Sequence, residues 1–169
     1  MTPSISIDSN TNMNSETENK NKAIVKTLYK ALACTCGDST KNLLGSNICS
    51  YIADDLEWWF HGPQNCHYMM KMLTGELSNQ NCFKFEPRSI DAIDDDRVIV
   101  EGWEGAKAYW VHVWTLKDGV ITQFREYFNT WLTVTELRPM GWVRSSTTLW
   151  QSHPRDLAKR SLPGLMLAI

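Results

Sequence analysis

The sequence lacks the features that mark membrane, secreted and nucleic-acid-binding proteins. Its 169 residues contain no apolar stretch approaching a membrane span and no run of Lys or Arg that would bind a phosphate backbone. The first 22 residues have neither the charged start nor the apolar stretch of a signal peptide, and no Asn-x-Ser/Thr acceptor site occurs. With a net charge of −2, we expect a cytoplasmic protein that binds neither nucleic acid nor membranes.

Cysteine is too sparse and too irregular to predict a disulfide framework or a metal site. The five cysteines are an odd number, and their spacing does not match the paired ligands of zinc sites. A glycine-rich phosphate loop, a nucleophile elbow and a His-Glu-x-x-His motif are also missing from the sequence. We therefore predict reduced thiols, no metal and no cofactor.

Tryptophan is the residue that the sequence has in excess. All eight tryptophans lie at or after residue 58. An indole combines a large apolar surface with an N–H group that needs a hydrogen-bond partner, and concave apolar sites use such rings. Core packing is the more common role for any single Trp, but eight of them favour an aromatic pocket.

Helical patterns dominate the first half of the chain. Residues 1–20 are predicted to be a disordered tail, because their Ser/Asn/Thr-rich start lacks periodicity. A capping-box pattern at Ser15 then begins an amphipathic helix that ends near residue 37. A second helix is expected from about residue 40 to residue 52, and a third from Pro63 to Gly75.

The period of the pattern changes to two in the second half. Strands are predicted in LEWWFH, between the second and third helices, and in CFKFEPRSI, RVIVEGWEG, AYWVHVWTL and VITQFREYFNTWLTV, with a hairpin turn at KDG. Helices followed by strands predict the α+β class, here a cone-shaped, curved antiparallel sheet with three N-terminal helices over its concave face. This domain would span residues 21–137, and residues 138–169 would form a C-terminal extension packing on it.

Two long motifs and the C-terminal end resemble a known group of plant proteins. LEWWFHGP, YWVHVWTLKDGVITQFREYFNT and SLPGLMLAI, in this order of elements, are similar to the plant wound-induced protein 1 family, within the nuclear transport factor 2-like (SnoaL-like) superfamily. The resemblance runs from about residue 22 to the C-terminus. It implies the cone-shaped fold, a pocket and frequent dimerisation through the open face of the sheet. It implies no single reaction, because the superfamily holds isomerases, cyclases, epoxide hydrolases, dehydratases and binding proteins.

Glu126, in FREYFN, is the first candidate catalytic residue. If it shares the pocket side with Phe124 and Phe128, burial between two rings raises its pKa toward that of a general acid or base. The opposite parity would turn inward Arg125, Tyr127 and Asn129. The resemblance implies a functional carboxylate here, as in SnoaL-like cyclases and epoxide hydrolases. A surface or interface charge is the structural alternative.

His112 is the second candidate catalytic residue. The spacing Trp-x-His-x-Trp places Trp110, His112 and Trp114 on one face of a strand. An imidazole between two indoles would stay largely neutral and could exchange one proton near pH 7. A lone buried histidine more often has a structural role, so that alternative stays open.

His61, in LEWWFHGP, is the third candidate. Parity places Trp58 and Phe60 on the pocket side of this strand and Trp59 on the other side. Ketosteroid isomerase, a superfamily member, carries its catalytic base near the end of the matching strand, and that position falls on Phe60 or His61. The isomerase's carboxylate is therefore absent. His61 would be the base if the strand's twist turns it inward, and otherwise it would cap the helix that Pro63 opens.

Two functions fit these residues. The first is a cofactor-independent acid–base enzyme, of isomerase, cyclase or dehydratase type, acting on a hydrophobic small molecule of plant specialised metabolism. The alternative is a non-catalytic wound-response or stress-response protein that holds an apolar ligand in the same pocket. Two facing polar groups in the pocket would favour the enzyme, and a purely aromatic interior would favour binding. The candidate substrate-binding residues are Trp58, Phe60, Trp110, Trp114, Tyr29, Phe124, Tyr127 and Asn129. Tyr29 could offer its hydroxyl, as the superfamily's oxyanion donor does, or simply pack in the core.

The side chains on the second face of the sheet indicate that the protein forms an oligomer. It carries apolar side chains that we assign to Tyr109, Val111, Val113, Val98 and Val100. Such a face is more apolar than a solvated surface should be, and it generally marks an interface. We therefore predict a two-fold homodimer built on this face, as the resemblance also implies. The alternative is that the C-terminal segment covers it.

Overall fold

The computed structural model describes residues 9–35, 48–76, 83–104, 108–128, 132–136, 150–152 and 165–168. The elements in these ranges are, in chain order, α1 (Ser9–Thr35), β1 (Ile52–His61), α2 (Tyr68–Leu73), β2 (Pro87–Ala92), β3 (Arg97–Glu104), β4 (Ala108–Lys117), β5 (Val120–Phe128), β6 (Leu132–Glu136), β7 (Trp150–Ser152) and β8 (Leu165–Ala168). They confirm the α+β class. Neither described helix is long and apolar enough to cross a bilayer.

Strands β1 to β5 form one mixed sheet in the order β1-β5-β4-β3-β2. The strands β2 to β5 follow one another as the predicted antiparallel meander. β1 lies parallel to β5, so the prediction of a wholly antiparallel sheet was wrong. The long connection through α2 and three strands is what lets β1 and β5 run in the same direction. β6 pairs with β7 and β8 in a second sheet. The predicted long last strand thus contributes to both sheets, and its residues 129–131 lie outside the described residues.

The first two predicted helices differ from the observed ones at their ends. α1 begins at Ser9 rather than at Ser15, so the part of the predicted disordered tail from Ser9 onward is helical. Extending an existing helix by a turn needs far less free energy than starting one. The predicted second helix does not reach residue 52, where β1 begins after one 3₁₀ turn at Cys49–Tyr51. Residues 40–47 of that prediction lie outside the described residues.

The third predicted helix is α2, and it starts later than expected. Asn65 has a φ of 66°, a left-handed conformation that an α-helix does not accommodate. The helix therefore starts at Tyr68 instead of Pro63. Gly75, with a φ of 75°, follows the end of α2 as predicted.

The amphipathic pattern of α1 packs against one face of the five-stranded sheet, which we call the inner face. The helix buries Ile24, Val25, Leu28, Tyr29 and Leu32. Tyr29 contacts the rings of Trp110, His112 and Trp114 on β4. Burying an aliphatic side chain of this size contributes about 1.5–3 kcal/mol, so this face supplies much of the core. Phe83 and Phe85, predicted to begin a strand, are buried just before β2.

The hairpin between β4 and β5 decides which side chains of β5 reach the inner face. Asp118 and Gly119 have φ values of 53° and 81°, the positive pair of a type I′ turn. Beyond the turn, the register shifts between Thr115 and Leu116, which pair with Gln123 and Ile121. A one-residue bulge in a strand reverses the parity of every side chain that follows it. Ile121 and Phe124 therefore both pack in the same core cluster, despite their odd and even positions.

The opposite, outer face of the sheet holds a second buried cluster. Its members are Tyr109, Val111, Val113 and Tyr127. The prediction that Val98 and Val100 belong here was wrong, because they pair with Trp114 and His112 and join the inner cluster. The three β4 residues of the outer cluster are at most 2% exposed in a single chain. The exposed apolar face from which we predicted a homodimer is thus covered at these positions, and the homodimer stays a prediction.

Candidate active site

Glu126 and His112 lie opposite each other on β5 and β4. Both side chains are fully buried on the inner face, and Glu126 Oε1 lies 4.0 Å from His112 Nε2. The question of parity is therefore settled in favour of Glu126. Arg125 and Tyr127 point to the outer side, and Asn129 lies outside the described residues.

The Glu126 carboxylate accepts hydrogen bonds from the start of α2. Met69 N–H donates to Oε1 at 2.8 Å, and Met70 N–H donates to Oε2 at 3.4 Å. The N-cap residue His67 makes no capping bond, so a side chain from β5 does this work instead. Burial raises the pKa of Glu126 to about 7, although the two backbone bonds and a hydrogen bond from the Trp58 side chain oppose the rise.

His112 is surrounded by aromatic rings. Its ring centroid lies 4.7 Å from that of Trp110, 4.9 Å from Phe85 and 5.1 Å from Phe124. Burial lowers the pKa of His112 well below its ordinary value, because the apolar surroundings disfavour the imidazolium. Its Nδ1 atom lies 2.5 Å from the hydroxyl oxygen of Tyr29.

Burial shifts the two pKa values in opposite directions and reverses their order, so that the carboxyl group becomes the weaker acid of the pair. With a pKa near 7, Glu126 populates both its carboxylic acid and its carboxylate at neutral pH. His112 stays neutral under the same conditions. A buried carboxyl group poised in this way can take or give a proton near pH 7, which is the requirement for general acid–base chemistry.

A group of rings connects Glu126 with the surface. Trp58, which hydrogen-bonds to Glu126, is 38% exposed. Its centroid lies 5.4 Å from His67 and 6.2 Å from Phe60. Trp58 and Phe60 thus lie on the predicted side of β1. His67 was not a predicted site residue, because no pattern in the sequence indicates that it precedes the first residue of α2.

A small cavity lies beside Phe85. Its volume is about 170 Å³, which is below the usual range for ligand pockets. The lining residues are Leu32, Ala33, Phe83, Lys84, Phe85 and Glu86. Phe85 also contacts the imidazole of His112. The Phe85 side chain is therefore shared by the cavity and the surroundings of His112.

His61 does not join the site. Its ring stacks on Tyr127 at 5.1 Å between centroids, with 7° between the planes. Tyr127 belongs to the outer cluster, so both residues lie on the sheet face opposite Glu126 and His112. The expectation that His61 turns inward was therefore wrong, and Tyr127 lies away from the buried pair. The pKa of His61 is lowered by partial burial and by the charge of Arg125.

Three aspartates, Asp94, Asp95 and Asp96, are the group of possible metal ligands within the described residues. Asp94 already accepts hydrogen bonds from the backbone N–H groups of Asp96 and Arg97. Its carboxylate also pairs with the Arg97 guanidinium. These contacts describe a capped turn before β3, and Asp95 and Asp96 are exposed.

Comparison with known proteins identifies the family. Residues 70–169 match the family described as "Wound-induced protein WI12". Wound-induced protein 1 of Solanum tuberosum is 43% identical over 107 residues, which are 59% of this chain and the whole of that protein. The Senescence associated gene 20 protein of Arabidopsis thaliana is 38% identical over 111 residues, again over its whole length and 59% of this chain.

Two solved structures align with part of this chain. An NTF2-like protein from Burkholderia xenovorans LB400 aligns with a TM-score of 0.44 and 19% identity, covering 66% of this chain and 90% of that one. An LEH-like epoxide hydrolase of M. tuberculosis aligns with a TM-score of 0.43 and 19% identity, covering 66% of this chain and 84% of that one.

The sheet, its helix and the buried carboxyl–imidazole pair thus define an α+β protein with a candidate acid–base site. The matched sequence makes the identification more specific. This chain belongs to the wound-induced protein WI12 family.

Proposed function

We propose that this protein is a cofactor-independent acid–base enzyme, of isomerase, cyclase or dehydratase type, that acts on a hydrophobic small molecule of plant specialised metabolism. Glu126 takes and returns the proton, and His112 is its polar partner. We place the activity in the cytoplasm.

One observation carries the proposal. Glu126 and His112 are both fully buried, 4.0 Å apart, on a face otherwise lined by aromatic and aliphatic side chains. Burying a carboxyl group is unfavourable because desolvation disfavours its ionised form, so a compensating structural or functional role is expected. Capping α2 is one such reason. A neighbouring imidazole is not needed for capping, so its presence supports a chemical role for the pair.

The cavity supports a second candidate function. A volume of about 170 Å³ next to Phe85 would hold a small group of a ligand without requiring any proton transfer. Under this alternative the protein is a non-catalytic, wound-response or stress-response ligand carrier. Glu126 would then serve only as the cap of α2, and the two functions differ in whether Glu126 exchanges protons with the ligand.

The experiment that separates the two functions uses heavy water. A general base removes a C–H proton from its substrate, and solvent deuterium returns in its place when the buried group exchanges with water. Metabolite extracts of wounded plant tissue are incubated with the protein in D₂O, and untargeted mass spectrometry compares the products with those of a protein-free sample. We expect new products, or known metabolites with added deuterium.

Two variants serve as the test and its control. Glu126→Gln keeps an oxygen that accepts the Met69 N–H bond but cannot take a proton, so the deuterium signal should disappear. Glu57→Gln removes a carboxylate on the neighbouring strand β1, where it is exposed and hydrogen-bonded to Gln123, and should leave the signal unchanged. Equal activity of Glu126→Gln and the wild type would contradict the proposed role, and no conversion by the wild type would favour the carrier.

A further inference from the structure

The two ring nitrogens of His112 have different surroundings. Nδ1 lies 2.5 Å from Tyr29 Oη. Nε2 has no hydrogen-bond partner among the described residues, and the nearest carboxyl oxygen of Glu126 is 4.0 Å away. A neutral imidazole carries its proton on one nitrogen only. The position of that proton decides whether His112 presents a donor or an acceptor toward Glu126.

Trp114 determines the direction of the hydrogen bond between Tyr29 and His112. Its indole nitrogen can only donate, and it lies 3.1 Å from Tyr29 Oη. The hydroxyl oxygen therefore accepts a bond from Trp114, and its own proton needs an acceptor. Nδ1 of His112 is that acceptor. Burial raises the pKa of Tyr29 well above its ordinary value, so the hydroxyl keeps its proton.

The other protonation states leave more buried groups unsatisfied. If Nδ1 carried the proton, Tyr29 Oη would accept two bonds, and its own buried proton would have no acceptor among the described residues. Nε2 would then be an unpaired buried acceptor as well, so this tautomer leaves two groups unsatisfied. The Nε2–H tautomer leaves one, the Nε2–H group itself, and that group faces a Glu126 carboxyl oxygen 4.0 Å away. Each unsatisfied buried group costs about 1–3 kcal/mol. The doubly protonated imidazolium is disfavoured as well, because burial lowers the pKa of His112.

We propose that Tyr29 and Trp114 are positioning residues that hold His112 as the neutral tautomer with its proton on Nε2. His112 is then a fixed hydrogen-bond donor beside Glu126 and not a base. This inference rests on the proposed function and assigns a different role to each residue of the pair. Glu126 alone takes the substrate proton, and His112 donates a hydrogen bond. The Nε2–H group can then donate a hydrogen bond to the substrate. The substrate must therefore contain a hydrogen-bond acceptor atom, although the rest of the molecule is apolar.

The test is the protonation state of His112 in the intact protein. Protein labelled with ¹⁵N-histidine contains four such residues, and multiple-bond ¹H–¹⁵N spectra near pH 7 distinguish a protonated from an unprotonated ring nitrogen. The His112→Asn variant assigns the signals by their loss. We expect a protonated Nε2 and an unprotonated Nδ1. A protonated Nδ1, alone or together with a protonated Nε2, would overturn the inference.

A pair of buried tyrosines tests the positioning role. Tyr29→Phe removes the hydroxyl that selects the tautomer, so the His112 signals should change to those of a mixture of both tautomers. Tyr127→Phe removes a hydroxyl from the outer cluster and should leave the His112 signals unchanged. An unmixed Nε2–H tautomer in Tyr29→Phe would show that Tyr29 does not position the ring. The spectra need no substrate, so a failure to find turnover would defeat the enzyme and leave this result intact.

Discussion

Glu126 and Glu57 lie on neighbouring strands but in opposite environments. Glu126 is fully buried on the inner face, and its pKa is raised to about 7. Glu57 is exposed on β1, and hydrogen bonds from Gln123 and Trp59 lower its pKa. Both carboxylates accept two or more hydrogen bonds, so the number of donors does not explain the difference. Burial does, because desolvation outweighs the donors at Glu126 and is nearly absent at Glu57.

His112 and His61 repeat the comparison between the two faces. Both rings contact a tyrosine, but His112 is hydrogen-bonded to the hydroxyl of Tyr29 and His61 stacks flat on Tyr127. Burial lowers both pKa values, and the fully buried His112 shows the larger change. The contrast shows that the larger pKa change belongs to the more completely buried ring.

The largest expected effect is on stability. Glu126→Ala removes the acceptor of two backbone N–H groups of α2 and leaves a cavity, and it should lower the free energy of unfolding by about 3 kcal/mol. Glu57→Ala should change it by less than about 0.5 kcal/mol. Urea unfolding of both variants at pH 6 checks this difference. Equal stabilities would contradict the capping role of Glu126.

The second effect is the pH dependence of stability. Because the folded pKa of Glu126, about 7, exceeds the ordinary value of 4.5, the folded state binds more protons in this window. Glu126 therefore adds to the free energy of unfolding at low pH. This contribution, roughly 3 kcal/mol, is lost as the pH rises from 4.5 to 7. His112, whose pKa is lowered, acts in the opposite sense below pH 6.5.

Comparing the wild type with Glu126→Gln isolates the contribution of Glu126, because His112 is present in both proteins. The stability of the wild type relative to Glu126→Gln should fall between pH 5 and pH 8, as measured by urea unfolding across this range. A difference that stays constant with pH would show that Glu126 ionises as an exposed carboxyl group does.

The adjacent tryptophans of β1 give a smaller effect. Trp58→Phe removes the hydrogen bond that lowers the pKa of Glu126, so that pKa should rise by roughly 0.5. Trp59→Phe removes a ring that contacts Glu57 and Arg125 on the other side, and the pKa of Glu126 should not change. The pH dependence of unfolding reports both values. An equal effect of the two variants would mean that Trp58 does not contact Glu126 in solution.

The last prediction concerns assembly. We keep the two-fold homodimer as a proposal, and light scattering at micromolar concentration should then give twice the chain mass of 19.4 kDa. The burial of Val111 and Val113 in a single chain supports the alternative of a cover from the same chain. A mass near 19.4 kDa would contradict the homodimer.

The sequence predicts some parts of this molecule well, and the reasons are local. The period-two pattern of β4 correctly places Trp110, His112 and Trp114 on one face, because a regular strand alternates strictly. The Asp118-Gly119 turn is also readable, since positive φ values favour these residues. The inner side chains of α1 follow from its four-residue spacing in the same way.

Other parts of the site depend on contacts between distant segments. The bulge near Gln123 reverses the parity of β5, and no residue pattern in FREYFN shows on which side of a bulge Glu126 lies. The bonds from Met69 and Met70 come from backbone N–H groups, which every sequence contains. The parallel pairing of β1 with β5 is likewise a property of the whole chain, and it is what leaves His61 with Tyr127.

The ionisation of Glu126 is the most direct test of the account. Protein labelled with ¹³C at the glutamate carboxyl carbon can be titrated by NMR, with Glu126→Gln and Glu57→Gln assigning the two signals. We predict a midpoint for Glu126 at about 7 and one for Glu57 below 4.5. A Glu126 midpoint near 4.5 would contradict the buried acid–base site on which the proposed function depends.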